Sequence, residues 1–167
     1  LSKEISFMFI VESERTYLRE ARPEDAEFVH RLVNSEGWLS NIGDRKIQNL
    51  ADADAYIRNN YIAAYLKFGF GFWIVCTKID DVPIGISGFA KRGHLDGVDL
   101  GYALLPEYFN KGYAIEATKA VLDYGLRTLG LNRIIAIVLH GNPRSIAILE
   151  KLGFSYEKDI IHDGNET

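Results

Sequence analysis

The sequence is poor in cysteine, and Cys76 stands alone among 167 residues. A disulfide within the chain is therefore excluded. The four histidines are scattered without metal-ligand spacing, so we expect no metal site. No apolar run approaches the roughly 20 residues of a membrane-spanning helix, and no small-residue cleavage site follows the leader. These absences predict a cytoplasmic protein that does not bind membranes.

Excess positive charge is also lacking, because 19 Lys and Arg residues face 23 Asp and Glu residues and give a net charge of −4. A nucleic-acid partner is therefore not expected, and a cationic acceptor suits this surface better. Hydrophobic residues make up 47% of the chain, and no linker or repeat interrupts it. We predict one domain over residues 1–167, with residues 1–7 as upstream sequence before Met8.

The spacing of apolar residues changes period along the chain and predicts the order of helices and strands. The order implies an α/β fold of the α+β type, in which helices cover both faces of a mixed, mainly antiparallel central sheet. The predicted strands are 16–20, 72–78, 83–91, 98–105, 133–139 and 154–161. The first predicted helix begins at Pro23, and three further helices are predicted over 52–68, 110–129 and 142–152. The segment 35–49 is predicted to be irregular.

Residues 99–117 contain a strand that runs through a loop into a helix, with Gly112 in the first helical turn. The first N–H groups of a helix lack internal partners, and glycine lets an anion approach them closely. Lys111 and Lys119 add positive charge. The pattern predicts a phosphate site, although Gly112 alone is equally compatible with close packing.

A second segment, residues 140–154, carries the signals of a short helix. Asn142 is typical of an N-cap, Pro143 of the first helical position and Gly153 of a C-terminal cap. Capping explains these three residues but leaves Arg144 and Ser145 without a structural reason.

Four segments together resemble the GNAT superfamily of acyl-CoA-dependent N-acetyltransferases, in particular the Rim-type branch of ribosomal-protein N-terminal acetyltransferases. These segments are 16–26, 100–108, 110–117 and 142–154. The resemblance implies the GNAT fold, acetyl-CoA as co-substrate and no metal. It also implies that the strands ending near Leu105 and Leu139 splay apart to form a slot for the pantetheine arm.

The resemblance further implies which residues bind the cofactor. The backbone of Ala103, Leu104 and Leu105 would pair with the pantetheine amides. Asn142 would hydrogen-bond the arm, and Arg144 and Ser145 would line the same site. The pyrophosphate would be held by the N–H groups of Asn110, Lys111, Gly112, Tyr113 and Ala114.

Two departures from the family pattern stand out. Phe109 occupies a loop position where many members carry Gln or Arg, so a side-chain contact to phosphate is missing. The sequence also stops before the usual final strand, and the open sheet edge that this implies favours pairing into a homodimer.

Acetyl transfer to an amine requires a neutral nucleophile and a proton for the departing thiolate. An α-amine with a pKa of about 8 is more often neutral than a lysine amine at about 10.4. The expected acceptor is accordingly a protein N-terminal α-amine or a small polyamine or antibiotic amine.

The resemblance favours Asp99 as the base, with Glu107 as second candidate, and places Ser145 where it can protonate the sulfur. Asp99 is equally compatible with a solvated residue after a turn, and Ser145 with a helix-capping residue. Trp38 is a core anchor or a wall of the acceptor pocket. The competing function is a non-catalytic acyl-CoA-binding module.

Overall fold

A computed structural model describes residues 8–162 and 165–166. The prediction that residues 1–7 are upstream sequence concerns residues outside the described ones. The strands are β1 Phe9–Glu12, β2 Thr16–Arg19, β3 Phe72–Thr77, β4 Pro83–Lys91, β5 Val98–Leu104, β6 Ile134–Ile135, β7 Ile161–His162 and β8 Asn165–Glu166. The α-helices are α1 Ala26–Val33, α2 Glu36–Asn41, α3 Leu50–Tyr56, α4 Ala63–Phe68, α5 Tyr113–Arg127 and α6 Pro143–Lys151. A π-helical segment, Ile57–Ile62, joins α3 to α4, and 3₁₀ turns occupy Pro23–Asp25 and Pro106–Tyr108.

The central sheet has six strands in the order β1-β2-β3-β4-β5-β6. Neighbours from β1 to β5 are antiparallel, whereas β5 and β6 are parallel. β7 and β8 form a separate two-stranded hairpin. The mixed, mainly antiparallel sheet predicted from the sequence is confirmed.

Alternation along β3 directs side chains into two cores on opposite faces of the sheet. Ile74 and Cys76 pack with the first helices of the chain, in a cluster that contains Val29, Trp38 and Ala53. Trp73 and Val75 pack on the other face with residues of α5. Helices on both faces are thereby confirmed, and the helices on the first face form one wall of the site.

The helical region from α3 to α4 is continuous, as the sequence predicts. The side chain of Asn49 accepts a hydrogen bond from the N–H of Asp52 at 2.8 Å and caps its beginning. Its end is at Gly69, whose φ of 75° is readily adopted by glycine. The π-helical segment lies midway and contains Tyr61, which is fully buried. π-helical turns often occur at functional sites, and this one places Tyr61 against the cavity described below.

Three details of the predicted secondary structure are wrong. The segment 35–49 is not wholly irregular, because α2 forms where Trp38 is buried in the core and overrides the weak helix propensity of Gly37. The predicted strand 133–139 is reduced to Ile134–Ile135, and residues 154–160 form no strand. A strand needs a hydrogen-bonding neighbour along its length. Residues 133–139 pair with β5 only at Ile134 and Ile135, and residues 154–160 pair with no described strand. Within 8–162 and 165–166, no helix is both long and apolar enough to cross a bilayer.

Candidate active site

The site opens where two parallel strands part. β5 and β6 pair only at Val98 with Ile134 and at Asp99 with Ile135, yet β5 continues to Leu104. Residues 136–139 leave the sheet instead of extending the ladder. A cavity of about 460 Å³ lies between them and is also lined by α2 and the start of α6. The geometry matches the slot that the sequence resemblance implies.

Asp99 lies at the junction where the strands separate. The residue is 5% exposed and lines the cavity, and its carboxylate accepts a hydrogen bond from Arg92 Nε at 2.8 Å. Burial raises the pKa of Asp99, although the Arg92 guanidinium and the N–H of Ile137 oppose the rise. A carboxylate with a raised pKa is a stronger proton acceptor, and this one is held in position by its ion pair.

Ser145 is joined to a tyrosine that the sequence analysis left without a role. The hydroxyl of Tyr102 donates a hydrogen bond to Ser145 Oγ at 2.9 Å, and both residues line the cavity. Burial raises the pKa of Tyr102, while Ser145 and Arg144 act in the opposite direction. The spacing from Asp99 to Tyr102 is odd, so the two side chains leave opposite faces of β5. The alternation of side chains along β5 could have predicted that Asp99 and Tyr102 lie on opposite faces. The contact of Tyr102 with Ser145 of α6 could not be predicted from the sequence.

Asn142 organises the start of α6. Its side-chain oxygen accepts a hydrogen bond from the N–H of Ser145 at 3.1 Å, which is the predicted N-cap. Asn142, Arg144 and Ser145 all line the cavity. The capping interaction fixes Ser145 on the first turn, where its hydroxyl meets Tyr102.

The loop before α5 has the backbone geometry of an anion site. Gly112 has a φ of 82° and Asn110 a φ of 58°, and residues 110–112 are exposed. In the described part of the chain, no N–H from residues 110–114 donates to a protein acceptor outside the helix. The N–H groups of Asn110, Lys111, Gly112, Tyr113 and Ala114 therefore have no protein acceptor that would compete with an anion, and phosphate binding by them stays a prediction.

An ion pair outside the predicted site fastens this loop to the sheet. The Arg15 guanidinium donates to the carbonyl of Lys111 at 3.0 Å and lies 4.3 Å from the centre of the Tyr113 ring. Glu116 accepts hydrogen bonds from the N–H and Nε of Arg15 and from the Ser13 hydroxyl. Burial favours a higher pKa for Glu116, but the Arg15 N–H and Ser13 bonds lower it overall. No local sequence motif predicts this ion pair, because Arg15 and Glu116 are far apart in the sequence.

Phe109 closes the cofactor end of the cavity toward α2. The Arg144 guanidinium lies 4.8 Å from the centre of the Phe109 ring. On the other side, a Cβ added to Gly37 would lie 3.0 Å from that ring. The aromatic side chain therefore bridges α2 and α6.

Seven predicted site residues are not among those that line the cavity, namely Leu105, Glu107, Asn110, Lys111, Gly112, Tyr113 and Ala114. Glu107 forms an exposed ion pair with Arg31 and does not line the cavity. Ala103 and Leu104 line it, whereas Leu105 is buried and its N–H donates to the carbonyl of Ile84 at 2.8 Å. The described residues contain no group of three or more His, Cys, Asp or Glu side chains that could hold a metal ion.

Residues 15–155 match the family described as an acetyltransferase (GNAT) domain. This chain belongs to the GNAT acetyltransferase family. Its mixed sheet with a parted strand pair is the GNAT fold. Its relatives are named N-acetyltransferases, so the domain is an acetyltransferase.

Relatives and solved structures agree with that assignment. The uncharacterized N-acetyltransferase YnaD of Bacillus subtilis (strain 168) is 30% identical over 93% of this GNAT chain and 90% of the relative. The spermidine N(1)-acetyltransferase of Escherichia coli (strain K12) is 26% identical over 87% of this chain and 76% of the relative. A crystal structure of a GNAT-family acetyltransferase from Bacillus anthracis is 28% identical, with a TM-score of 0.77, and covers 95% of this chain and 93% of that one.

The ribosomal L7/L12 alpha-N-protein acetyltransferase RimL, solved in complex with coenzyme A, has a TM-score of 0.78 to this GNAT domain. The alignment covers 95% of this chain and 92% of RimL at 17% identity, so it shows a shared fold only. That fold is consistent with the Rim-type branch indicated by the sequence.

Proposed function

We propose that this chain transfers the acetyl group of acetyl-CoA to a primary amine by direct attack within a ternary complex. The observation that carries the proposal is the separation of β5 from residues 136–139. The resulting cavity has Asp99 on one wall and the Tyr102–Ser145 pair on another. A proton acceptor and a proton donor therefore border the same space.

The residues that surround the slot fit a nucleotide thioester. Ala103 and Leu104 lie on the unpaired edge of β5, where backbone groups are available to the pantetheine amides. The free N–H groups at the start of α5 favour the pyrophosphate, because the positive end of a helix dipole attracts anions. When bound, acetyl-CoA supplies the thioester carbonyl carbon that the amine attacks.

Proton transfer is assigned to side chains of this chain. Asp99 takes a proton from the substrate ammonium, directly or through water, because burial strengthens it as a base, and the neutral amine then attacks the thioester carbon. As the carbon–nitrogen bond forms and the carbon–sulfur bond breaks, the nitrogen releases its second proton to solvent. The Tyr102 hydroxyl, acting through Ser145, supplies the proton for the departing sulfur. Arg92 keeps Asp99 oriented and is a positioning residue.

The acceptor is a primary amine, and two classes remain open from the sequence. Relatives carry names that specify spermidine or a ribosomal protein as acceptor. A small amine and a protein N-terminus are both consistent with a cavity that opens to solvent.

The test combines ligand binding with turnover. Acetyl-CoA at about 100 times its dissociation constant should stabilise the fold by roughly 2.7 kcal/mol, and ATP and NAD at the same concentration serve as controls. Release of free thiol from acetyl-CoA with a panel of primary amines should then demonstrate transfer. Acetyl-CoA binding without thiol release from any amine would favour the competing acyl-CoA-binding module. The absence of any response to acetyl-CoA would contradict both functions.

A further inference from the structure

The charge on the cavity wall is opposite to the net charge of the chain. Among the described residues that line the cavity, Arg45, Arg92 and Arg144 are positively charged, and Asp99 carries the only carboxylate. Arg92 pairs with Asp99, and Arg144 lies over the Phe109 ring at the cofactor end. Arg45 forms no salt bridge in the described part of the chain. The end of the cavity away from the cofactor loop therefore has an uncompensated guanidinium.

Arg45 and Arg92 act on the same tyrosine. The hydroxyl of Tyr56 lines the cavity, and both guanidinium groups are close enough to lower its pKa against the larger effect of burial. Arg45 comes from the loop after α2, Tyr56 from the end of α3 and Arg92 from the residue after β4. Separate segments of the chain thus direct cationic and hydroxyl groups at one end of the cavity.

Two residues that line this cavity each carry a buried polar atom without a hydrogen-bond partner. Trp38 is 5% exposed, and its indole N–H donates to no described group. Tyr61 is 1% exposed, and its hydroxyl lies near that of Tyr56 without forming a hydrogen bond of normal geometry. A buried donor without a partner costs about 1–3 kcal/mol. A ligand with oxygen acceptors would remove that cost.

We propose that the acceptor is a small primary amine that also carries a carboxylate, held by Arg45 together with the Trp38 and Tyr61 donors. The amine end then lies toward Asp99, the single carboxylate on the cavity wall. This inference rests on the proposed acetyl transfer and names its substrate class. A polyamine is disfavoured, because its cationic ends would meet guanidinium groups without a carboxylate to balance them.

The decisive comparison uses amines of nearly equal basicity. A series of ω-amino acids is assayed beside the alkylamines of the same chain length, together with spermidine and a short peptide with a free N-terminus. The best ω-amino acid should have a kcat/KM about tenfold or more above its matched alkylamine, which is the usual scale of one charged hydrogen-bonding contact. Arg45→Gln should bring the two values together.

Arg58→Gln is the matched control variant. Arg58 is an exposed arginine of the adjoining π-helical segment, is paired with Asp54 and does not line the cavity. The preference for the carboxylate should persist in this variant. A loss of preference in both variants would point to a general electrostatic effect instead of a contact with Arg45 and would overturn the inference.

A binding measurement without turnover provides an independent readout. With coenzyme A in place of acetyl-CoA, the ω-amino acid should change the intrinsic fluorescence of Trp38, and Trp38→Phe should abolish the change while Trp73 still emits. The dissociation constant should rise about tenfold in Arg45→Gln.

The outcomes separate the two proposals. Thiol release with spermidine, the peptide or the alkylamines that equals or exceeds that with the ω-amino acids would overturn the acceptor class and leave acetyl transfer standing. Acetyl-CoA binding without thiol release from any amine would overturn both.

Discussion

The two ends of the active-site cavity are built differently. The proposed cofactor end is formed by short runs of neighbouring residues, which include 99–104 of β5 and the start of α6, and these offer mainly backbone groups and a helix start. The acceptor end is formed by single side chains from separate segments, including Trp38, Arg45, Tyr61 and Arg92. A ligand portion common to the whole family can be bound by local backbone geometry, whereas a particular acceptor requires side chains that only the folded chain brings together.

The comparison also separates local charge from net charge. The chain carries a net charge of −4, which favours a cationic acceptor, yet the cavity wall is rich in arginine. Charges separated by more than a Debye length of about 8 Å are largely screened at physiological salt. The ligand therefore responds to the nearest groups, and the composition of the whole surface is a poor guide to the acceptor.

Asp99 stands between the two ends, and its replacement should have the largest effect. Asp99→Asn should lower kcat by about 10³-fold if the carboxylate is the base, with little change in the KM for acetyl-CoA. In the parent enzyme, kcat/KM should rise with pH as Asp99 loses its proton, at a pH above the ordinary carboxyl range because burial raises its pKa. That limb of the pH profile should vanish in the variant.

Asp96→Asn is the control, since the Asp96 side chain is 98% exposed on the turn before β5. A melting curve distinguishes lost catalysis from the destabilisation expected when Arg92 loses its partner. An unchanged pH profile in folded Asp99→Asn would remove Asp99 as the base.

Removal of the Tyr102–Ser145 hydrogen bond should have the next largest effect on kcat. Ser145→Ala and Tyr102→Phe should each lower kcat by about 10²-fold, because each interrupts the proposed route of the proton to sulfur. The double variant should be little worse than either single variant, since groups that act as a unit are not additive. Additive losses in kcat would contradict a shared role.

A substitution at Gly112 tests the proposed cofactor site without changing the proposed acceptor site. Gly112→Ala places a side chain at a φ of 82° and 3.1 Å from the Arg15 guanidinium, beside the proposed pyrophosphate site. The KM for acetyl-CoA should rise about tenfold, whereas relative kcat/KM values among acceptors should stay the same. Gly130→Ala is matched, because Gly130 has a φ of 66° with open space around it. Equal effects of both substitutions on KM would indicate backbone strain alone.

Replacement of Glu116 should have the smallest effect, and the effect should be on the stability of the fold. Glu116→Gln should lower the free energy of unfolding by about 1 kcal/mol at pH 7, since it weakens charged hydrogen bonds to Arg15 and Ser13. A lowered pKa means that the carboxylate stabilises the fold above pH 4.5, its ordinary value, and loses this contribution as the pH falls through the folded-state pKa.

The difference between parent and Glu116→Gln in urea unfolding should therefore shrink as the pH falls below 4.5. Glu107→Gln is the control, because its exposed pair with Arg31 contributes little. A difference that does not depend on pH would show that Glu116 acts through packing and not through its charge.

Most of the fold could be predicted from the sequence. Capping by Asn142 and the start of a helix beside Gly112 follow from local signals that lie within a few residues of each other. The prediction of strands over 133–139 and 154–161 was wrong for most of these residues. An apolar stretch indicates burial but does not supply the hydrogen-bonding neighbour that a strand needs. The divergence of β5 and β6 removes that neighbour and creates the cavity.

The sequence alone determined the antiparallel succession of β3, β4 and β5, the helix starts near Gly112 and Asn142 and the position of Asp99 at the beginning of a strand. These features depend on residue spacing and on backbone preferences that act over one or two turns. Only the tertiary structure decided that Tyr102 hydrogen-bonds Ser145 and that Arg15 pairs with Glu116. It also decided that arginines line the cavity of a protein with a net negative charge. Such contacts join residues far apart in the chain, and their energies depend on burial and distance, which no local pattern encodes.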